Sequence, residues 1–172
     1  MGEDSTGAGA NGVDDGSRDA VRVRIAVRAD VPAMVRLLAD DALGAAREQL
    51  DGAIVAEYRD AFDAVDRQPG NELLVAELGG VVVGCLQLTV IAGLSRRGAT
   101  RALVEGVRVA AQLRGRGIGA TMMRVAMERA RAHGATVMQL TSDASRIDAR
   151  RFYERLGFVA SHIGMKRSLL DR

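Results

Sequence analysis

Apolar and polar positions alternate with period two along Val21-Arg22-Val23-Arg24-Ile25-Ala26-Val27-Arg28, which predicts a half-buried strand. At Asp30 the pattern changes. Asp30 stands where a helix cap is expected, with Pro32 in the first turn, where a missing N–H costs little. Met34, Leu37 and Leu38 mark that helix's apolar face, which ends at Asp41. A second helix is predicted from about Ala53 to Asp66, stopped by Pro69-Gly70-Asn71. The runs Glu72 to Leu78 and Val81 to Val90 flank Gly79-Gly80 and read as a hairpin; after a loop from Ala92 to Ala99, a third strand covers about Arg101 to Val109. The period then becomes 3.6, with Ile118, Met122, Val125 and Ala126 on one face of a long helix that ends near His133-Gly134. A strand from Thr136 to Thr141 follows. Ser145 and Asp148 have the spacing of a capping box for a last helix, with Ala149, Phe152, Tyr153 and Leu156 inward and Gly157 at its end. A terminal strand or pair of strands closes the order β-α-α-β-β-β-α-β-α-β.

Composition narrows what such a chain does. Its 172 residues, 48% hydrophobic and 27% charged, suit one globular domain with its own core. Residues 1–20 hold five acids against Arg18 and almost no core-forming side chains, which predicts a mobile acidic tail ahead of a domain at 21–172. Removing that tail leaves 17 acids and 23 basic residues, a surface suited to a small polyanion. The net charge of +2 and the 3% aromatic content argue against a nucleic-acid partner. No apolar run is long enough for a membrane span or a signal peptide, and Cys85 is the only cysteine, so a cytoplasmic location is expected. Lys166 is the only lysine beside 23 arginines, a coding bias and not chemistry.

The segment Gln112-Leu113-Arg114-Gly115-Arg116-Gly117-Ile118-Gly119-Ala120, between a strand and a long helix, is the most informative in the chain. Glycines let a backbone turn sharply and approach a ligand, and a helix start supplies unpaired N–H groups and a positive dipole end. A phosphate cradle is expected, with Arg114 and Arg116 adding charge. A Walker A loop is excluded because no Gly-Lys-Ser/Thr follows. Gly115, Gly117 and Ala120 fit the dinucleotide pattern G-x-G-x-x-A, with Asp143 as the ribose-binding acid. However, Ala110 to Arg114 separate the strand from the first glycine, and too little chain follows for a doubly wound sheet.

Arg114-x-x-Gly117-x-Gly119, together with Phe152-Tyr153-Glu154-Arg155-Leu156-Gly157-Phe158, resembles the GCN5-related N-acetyltransferases (GNAT) across residues 21–170. The stretch Arg146 to Tyr153 with Ser161-His162 is also similar to the aminoalkylphosphonate acetyltransferase branch. The resemblance implies a mixed α/β fold with a mostly antiparallel central sheet, splayed between its fourth and fifth strands and flanked by helices on both faces. It also implies acetyl-CoA as cosubstrate, no metal, and a small amine acceptor; a homodimer is allowed, and neither nucleic acid nor membrane is a partner. A peptide or protein amine as acceptor, or an acyl-CoA-binding module without catalysis, are the alternatives.

On this resemblance the backbone of Arg114, Gly115, Arg116, Gly117, Ile118, Gly119 and Ala120 holds the pyrophosphate. Val107, Arg108 and Val109 pair with the pantetheine amides, and a backbone N–H there stabilises the oxyanion. Members carry an Asn ahead of the last helix that this chain lacks, so Ser145, Ser142 or Arg146 takes over its cofactor contact. Glu105, expected on the same strand face as Leu103, Val107 and Val109, would have its pKa raised there and serve as general base. Tyr153 is the general acid for the departing thiolate. Cys85 and His133 read as structural, and His162 as an open case. For the acceptor, Arg96, Arg97 and Arg101 offer an anion site, and Glu57, Asp60 or Asp143 an ammonium site, all on ordinary surface positions.

Overall fold

The computed structural model describes residues 20–40 and 54–169; the expectations for the acidic segment, the helix end at Asp41 and the helix start at Ala53 lie outside them. The elements are β1 (Arg22–Ile25), α1 (Val31–Leu38), α2 (Ile54–Arg67), β2 (Asn71–Leu78), β3 (Val81–Ile91), β4 (Thr100–Val109), α3 (Ile118–Ala132), β5 (Ala135–Leu140) and α4 (Ile147–Arg155). The strands form one sheet in the order β1-β2-β3-β4-β5, antiparallel except for the parallel pair β4–β5. A parallel pair needs a crossover, and α3 supplies it.

Strand alternation sorts the core into two layers. Leu74, Ala76, Leu86, Leu88, Ala102 and Val104 face α3, where Ile118, Met122, Met123, Ala126 and Ala130 close the layer. Val75 and Cys85 face the other way, onto Val31, Met34, Val35 and Leu37 of α1 and Phe62 of α2. Phe152, Tyr153 and Leu156 of α4 pack on the α3 layer. No helix among the described residues is long and apolar enough to cross a membrane.

Three local expectations are corrected, and one expected loop gains a detail. Residues 158–169 form no strand, and the stretch opens with local backbone bonds: Phe158 N–H returns to Tyr153 O at 3.1 Å, and Ser161 N–H to Val159 O at 2.9 Å. Asp30 stands at the N-cap position of α1 as expected but makes no side-chain cap bond; its carboxylate reaches back to Val27 N–H at 2.8 Å and takes the Arg24 guanidinium. Ser145 and Asp148 form no capping box either. The Ser145 hydroxyl donates to Asp143 Oδ1 at 2.6 Å and α4 starts after Arg146. Finally, the loop before β4 contains a left-handed turn at Ser95–Gly98, with Arg96 and Arg97 at φ 53° and 63°, a costly conformation for residues carrying Cβ.

Candidate functional site

The site begins where the sheet comes apart. Parallel pairing between β4 and β5 ends at Val104↔Leu140, yet β4 continues to Val109, held only on its β3 side. Backbone groups from Glu105 onward therefore face an opening instead of a neighbouring strand. Within this stretch Gly106, at φ +60°, makes a bulge: the register passes from Gln87↔Glu105 to Cys85↔Arg108, two steps on β3 against three on β4. The bulge reverses which side chains share a face. Glu105 lies on the α1/α2 side with Leu103, whereas Val107 and Val109 pack on the α3 layer. The expectation that all four share one face is corrected by this extra residue. Glu105 is also exposed.

Beyond Val109 a short turn at Ala111–Leu113 leads into Arg114–Gly117, and α3 starts at Ile118. Gly115 and Gly117 adopt φ of +80° and +81°, which other residues rarely reach, and a Cβ at either would meet nothing within 4 Å. Their backbone faces open space at the positive end of α3, whose first-turn N–H groups have no partner within the helix. Gly119 has a different reason to be glycine: its Cβ would stand 3.3 Å from the Phe152 ring and 3.7 Å from Val109, so it admits α4 to the helix start. Ile118 is buried, Ala120 half-buried and Arg116 exposed.

Arg114 does not aim its charge at this space. Its Nε donates to Val109 O at 3.0 Å and its Nη2 to Asp40 O at 2.9 Å. The Asp40 carboxylate in turn accepts from Ala111 N–H at 2.7 Å, with Arg114 Nη2 at 3.4 Å. The guanidinium thus straps the loop to the end of α1. Asp40 was not singled out from sequence, and no motif marks it.

Tyr153 packs on the α3 layer, on the sheet face away from Glu105, its ring edge-on to Phe152 and Phe158 at 5.1 and 5.9 Å. Burial pushes its phenol above the usual range, with Arg146 and Arg108 opposing more weakly. Ser145 has its hydroxyl engaged by Asp143. Arg96, Arg97, Arg101, Glu57 and Asp60 are exposed surface charges. His162 is exposed against Ser161 at 2.8 Å. Cys85 is a core thiol at 1% exposure, pushed up to about 12 by burial. His133 closes α3 with its ring 3.1 Å from Glu72. Sequence reasoning also missed a polar group on the Glu105 face. Gln87 Nε2 donates to Asn71 Oδ1 at 3.1 Å, and the Thr89 hydroxyl donates to the same oxygen at 2.6 Å.

A mixed sheet opened at its parallel pair, with a glycine-rich helix start at the opening, is the architecture of the GNAT acetyltransferases. The chain matches the family model described as Acetyltransferase (GNAT) family over residues 32–158, and belongs to that family. It is accordingly an enzyme of the N-acetyltransferase class, and members of the family use acetyl-CoA. No curated protein matches. Among solved structures it is similar to a transcriptional regulator from Bacillus halodurans C-125: 43% identity over 87% of this chain and 100% of that one, TM-score 0.84. It is also similar to a candidate acetyltransferase from Agrobacterium tumefaciens C58, at 26% identity over 86% and 99% of the chains, TM-score 0.76. A glucosamine-6-phosphate N-acetyltransferase from Arabidopsis thaliana shares the fold at 16% identity over 88% and 99%, TM-score 0.72.

Proposed function

We propose that the chain transfers the acetyl group of acetyl-CoA to the primary amine of a small molecule, by direct attack of the amine on the thioester. The observation that carries this reading is that β4 runs on to Val109 after its pairing with β5 ends at Val104, and leads through a short turn to the open backbone of Gly115 and Gly117. A bound thioester supplies an activated acetyl group; the remaining tasks fall to the chain. The edge at Val107, Arg108 and Val109, past the end of the pairing with β5, suits amide pairing of the kind that adds a strand. The loop from Arg114 to Ala120 suits a pyrophosphate, through backbone N–H groups and the α3 dipole. Its arginine at 114 contributes by holding the loop in shape.

Glu105 and Tyr153 flank the opening from opposite sheet faces, which suits proton acceptance on the amine side and proton donation on the thiol side. A phenol kept protonated by burial can donate to a leaving thiolate. Support for a small polar acceptor comes from the neighbours, whose named substrates are amino sugars and aminoglycosides. The sheet and the family match both begin after the acidic segment, in keeping with one catalytic domain over 21–172. A lone buried thiol fits a reducing, cytoplasmic setting.

The test is a panel of small amines with acetyl-CoA, read by release of free thiol, beside thermal shifts with acetyl-CoA, CoA and NAD. Stabilisation by the first two and thiol release with at least one amine are expected. A shift with NAD alone would sink the reading. The Bacillus halodurans relative is described as a transcriptional regulator, which favours acyl-CoA sensing as the second reading. Stabilisation by acetyl-CoA with no thiol release from any amine would select it.

A further inference from the structure

The sheet face that carries Glu105 is apolar around it, with Leu73, Val75, Cys85 and Leu103 in the same alternation. Gln87, Thr89 and Asn71 interrupt it beside Glu105, and Arg101 and Arg108, opposite Ile91 and Cys85, lie further along β4 on the same face. Gln87 is the register partner of Glu105, and Asn71 of Thr89, so all four point to one side of the sheet. Directly opposed residues of an antiparallel pair have Cβ atoms about 4.5–5.5 Å apart, within reach of one small ligand atom. Gln87 is held in place. Its Nε2 donates to Asn71 Oδ1 at 3.1 Å and lies 3.4 Å from Thr89 Oγ1, while the Thr89 hydroxyl donates to Asn71 Oδ1 at 2.6 Å. The amide nitrogen is thereby committed to Asn71 and Thr89, and the carbonyl oxygen is the arm of the fork that takes no part in these bonds.

We infer that Gln87 recognises the acceptor, its amide oxygen accepting an N–H from the incoming primary amine beside the Glu105 carboxylate. The inference rests on the acetyltransferase reading and names its amine subsite. A primary ammonium brings three donors and is best held by adjacent acceptors. One carboxylate and one amide oxygen on neighbouring strands supply two. The neutrality of the amide matters chemically. A second carboxylate would favour the charged ammonium, whereas an amide oxygen binds an N–H of the free amine as well, the form that attacks. Asn71 and Thr89 are positioning residues, since they act through Gln87.

Two measurements test it. In the 15N-labelled full chain without acetyl-CoA, n-butylammonium should shift the Gln87 side-chain amide signals. Tetramethylammonium, with the same charge and no N–H, should not. In steady-state kinetics Gln87→Leu should raise the KM for the amine about tenfold or more, as expected for a lost hydrogen bond to a charged group, with the KM for acetyl-CoA within about twofold. Gln87→Glu, which keeps an acceptor there, should stay closer to wild type than the Leu variant. Signals unmoved by butylammonium, or moved equally by tetramethylammonium, would overturn the assignment. So would an unchanged amine KM in Gln87→Leu, an equal rise in both KM values, or a Glu variant as impaired as the Leu variant. Amine-dependent shifts at Gln87 without thiol release would instead count against acetyl transfer and leave the subsite standing. Thiol release with Gln87 unmoved would do the reverse.

Discussion

Tyr153 owes its ring position to packing and its hydroxyl to chemistry, and the two can be separated. The edge-on contacts with Phe152 and Phe158 involve the ring alone, so Tyr153→Phe should keep the fold and the affinity for acetyl-CoA. Turnover should fall by about 10²-fold, the usual scale for removing a general acid. Because burial pushes the phenol upward, any loss of wild-type activity through its ionisation should come only above about pH 10, where a free phenol titrates. Calorimetry for acetyl-CoA and a rate profile check both halves. Glu105→Gln should lower turnover and remove the acidic limb of that profile, measured with one amine and both enzymes; full activity with the limb intact would show that Glu105 is not the base. At this scale the sequence was partly legible. Gly115 and Gly117 carry the open, left-handed backbone that a cradle needs. Gly119 looks the same in a motif but answers to the Phe152 ring, a contact between residues 33 positions apart that spacing does not reveal. The face of Glu105 was misjudged because a single bulge residue, Gly106, shifts every later side chain on β4.

Elements meet at the site through a contact that links the end of α1 to the loop before α3. Asp40 accepts Ala111 N–H at 2.7 Å, and its main-chain oxygen accepts from Arg114 at 2.9 Å, while Arg114 also holds Val109 O. The ion pair itself is exposed and contributes little to stability. Its effect is on shape: it fixes where β4 ends and the glycine loop begins. Asp40→Ala should therefore weaken acetyl-CoA binding several-fold with little change in melting temperature, and Asp40→Asn, which keeps a carboxamide oxygen for Ala111, should recover most of it. Titration calorimetry on the two variants decides the matter. Equal affinity in all three proteins would remove Asp40 from the site. The strands and helices themselves were legible because their periods are clean, as in Val21-Arg22-Val23-Arg24-Ile25 and in Ile118 through Ala126. A last strand or pair of strands was expected after Gly157, but residues 158–169 form none, and the stretch opens with local backbone bonds from Phe158 to Tyr153 and from Ser161 to Val159.

At the scale of the whole molecule, two ion clusters among the described residues fasten the sheet to its surroundings. Arg24 on β1 bonds both Asp30, before α1, and Glu77 on β2, at 2.6 to 3.0 Å. Glu72 at the start of β2 takes Arg129 and His133 from α3, with Arg129 Nη2 at 2.8 Å. These partners hold the carboxyls of Asp30, Glu77 and Glu72 below the usual range; Arg24 is the main cause for the first two and Arg129 for the third. A carboxyl with a depressed pKa in the folded state binds fewer protons there than in the unfolded chain. Its stabilisation is complete above the ordinary carboxylate range, near pH 4, and is lost as pH falls through that range to the folded value. Melting temperature should therefore drop steeply below about pH 5 and be nearly flat between pH 6 and 8 as far as these groups are concerned. Arg24→Gln and Arg129→Gln each remove the cation that depresses the carboxyls. Each variant should melt lower than wild type at pH 7, and the gap should close as the pH approaches 3. A gap that stays constant from pH 7 to pH 3 would mean that the arginines stabilise by packing their stems and not by holding the carboxylates ionised.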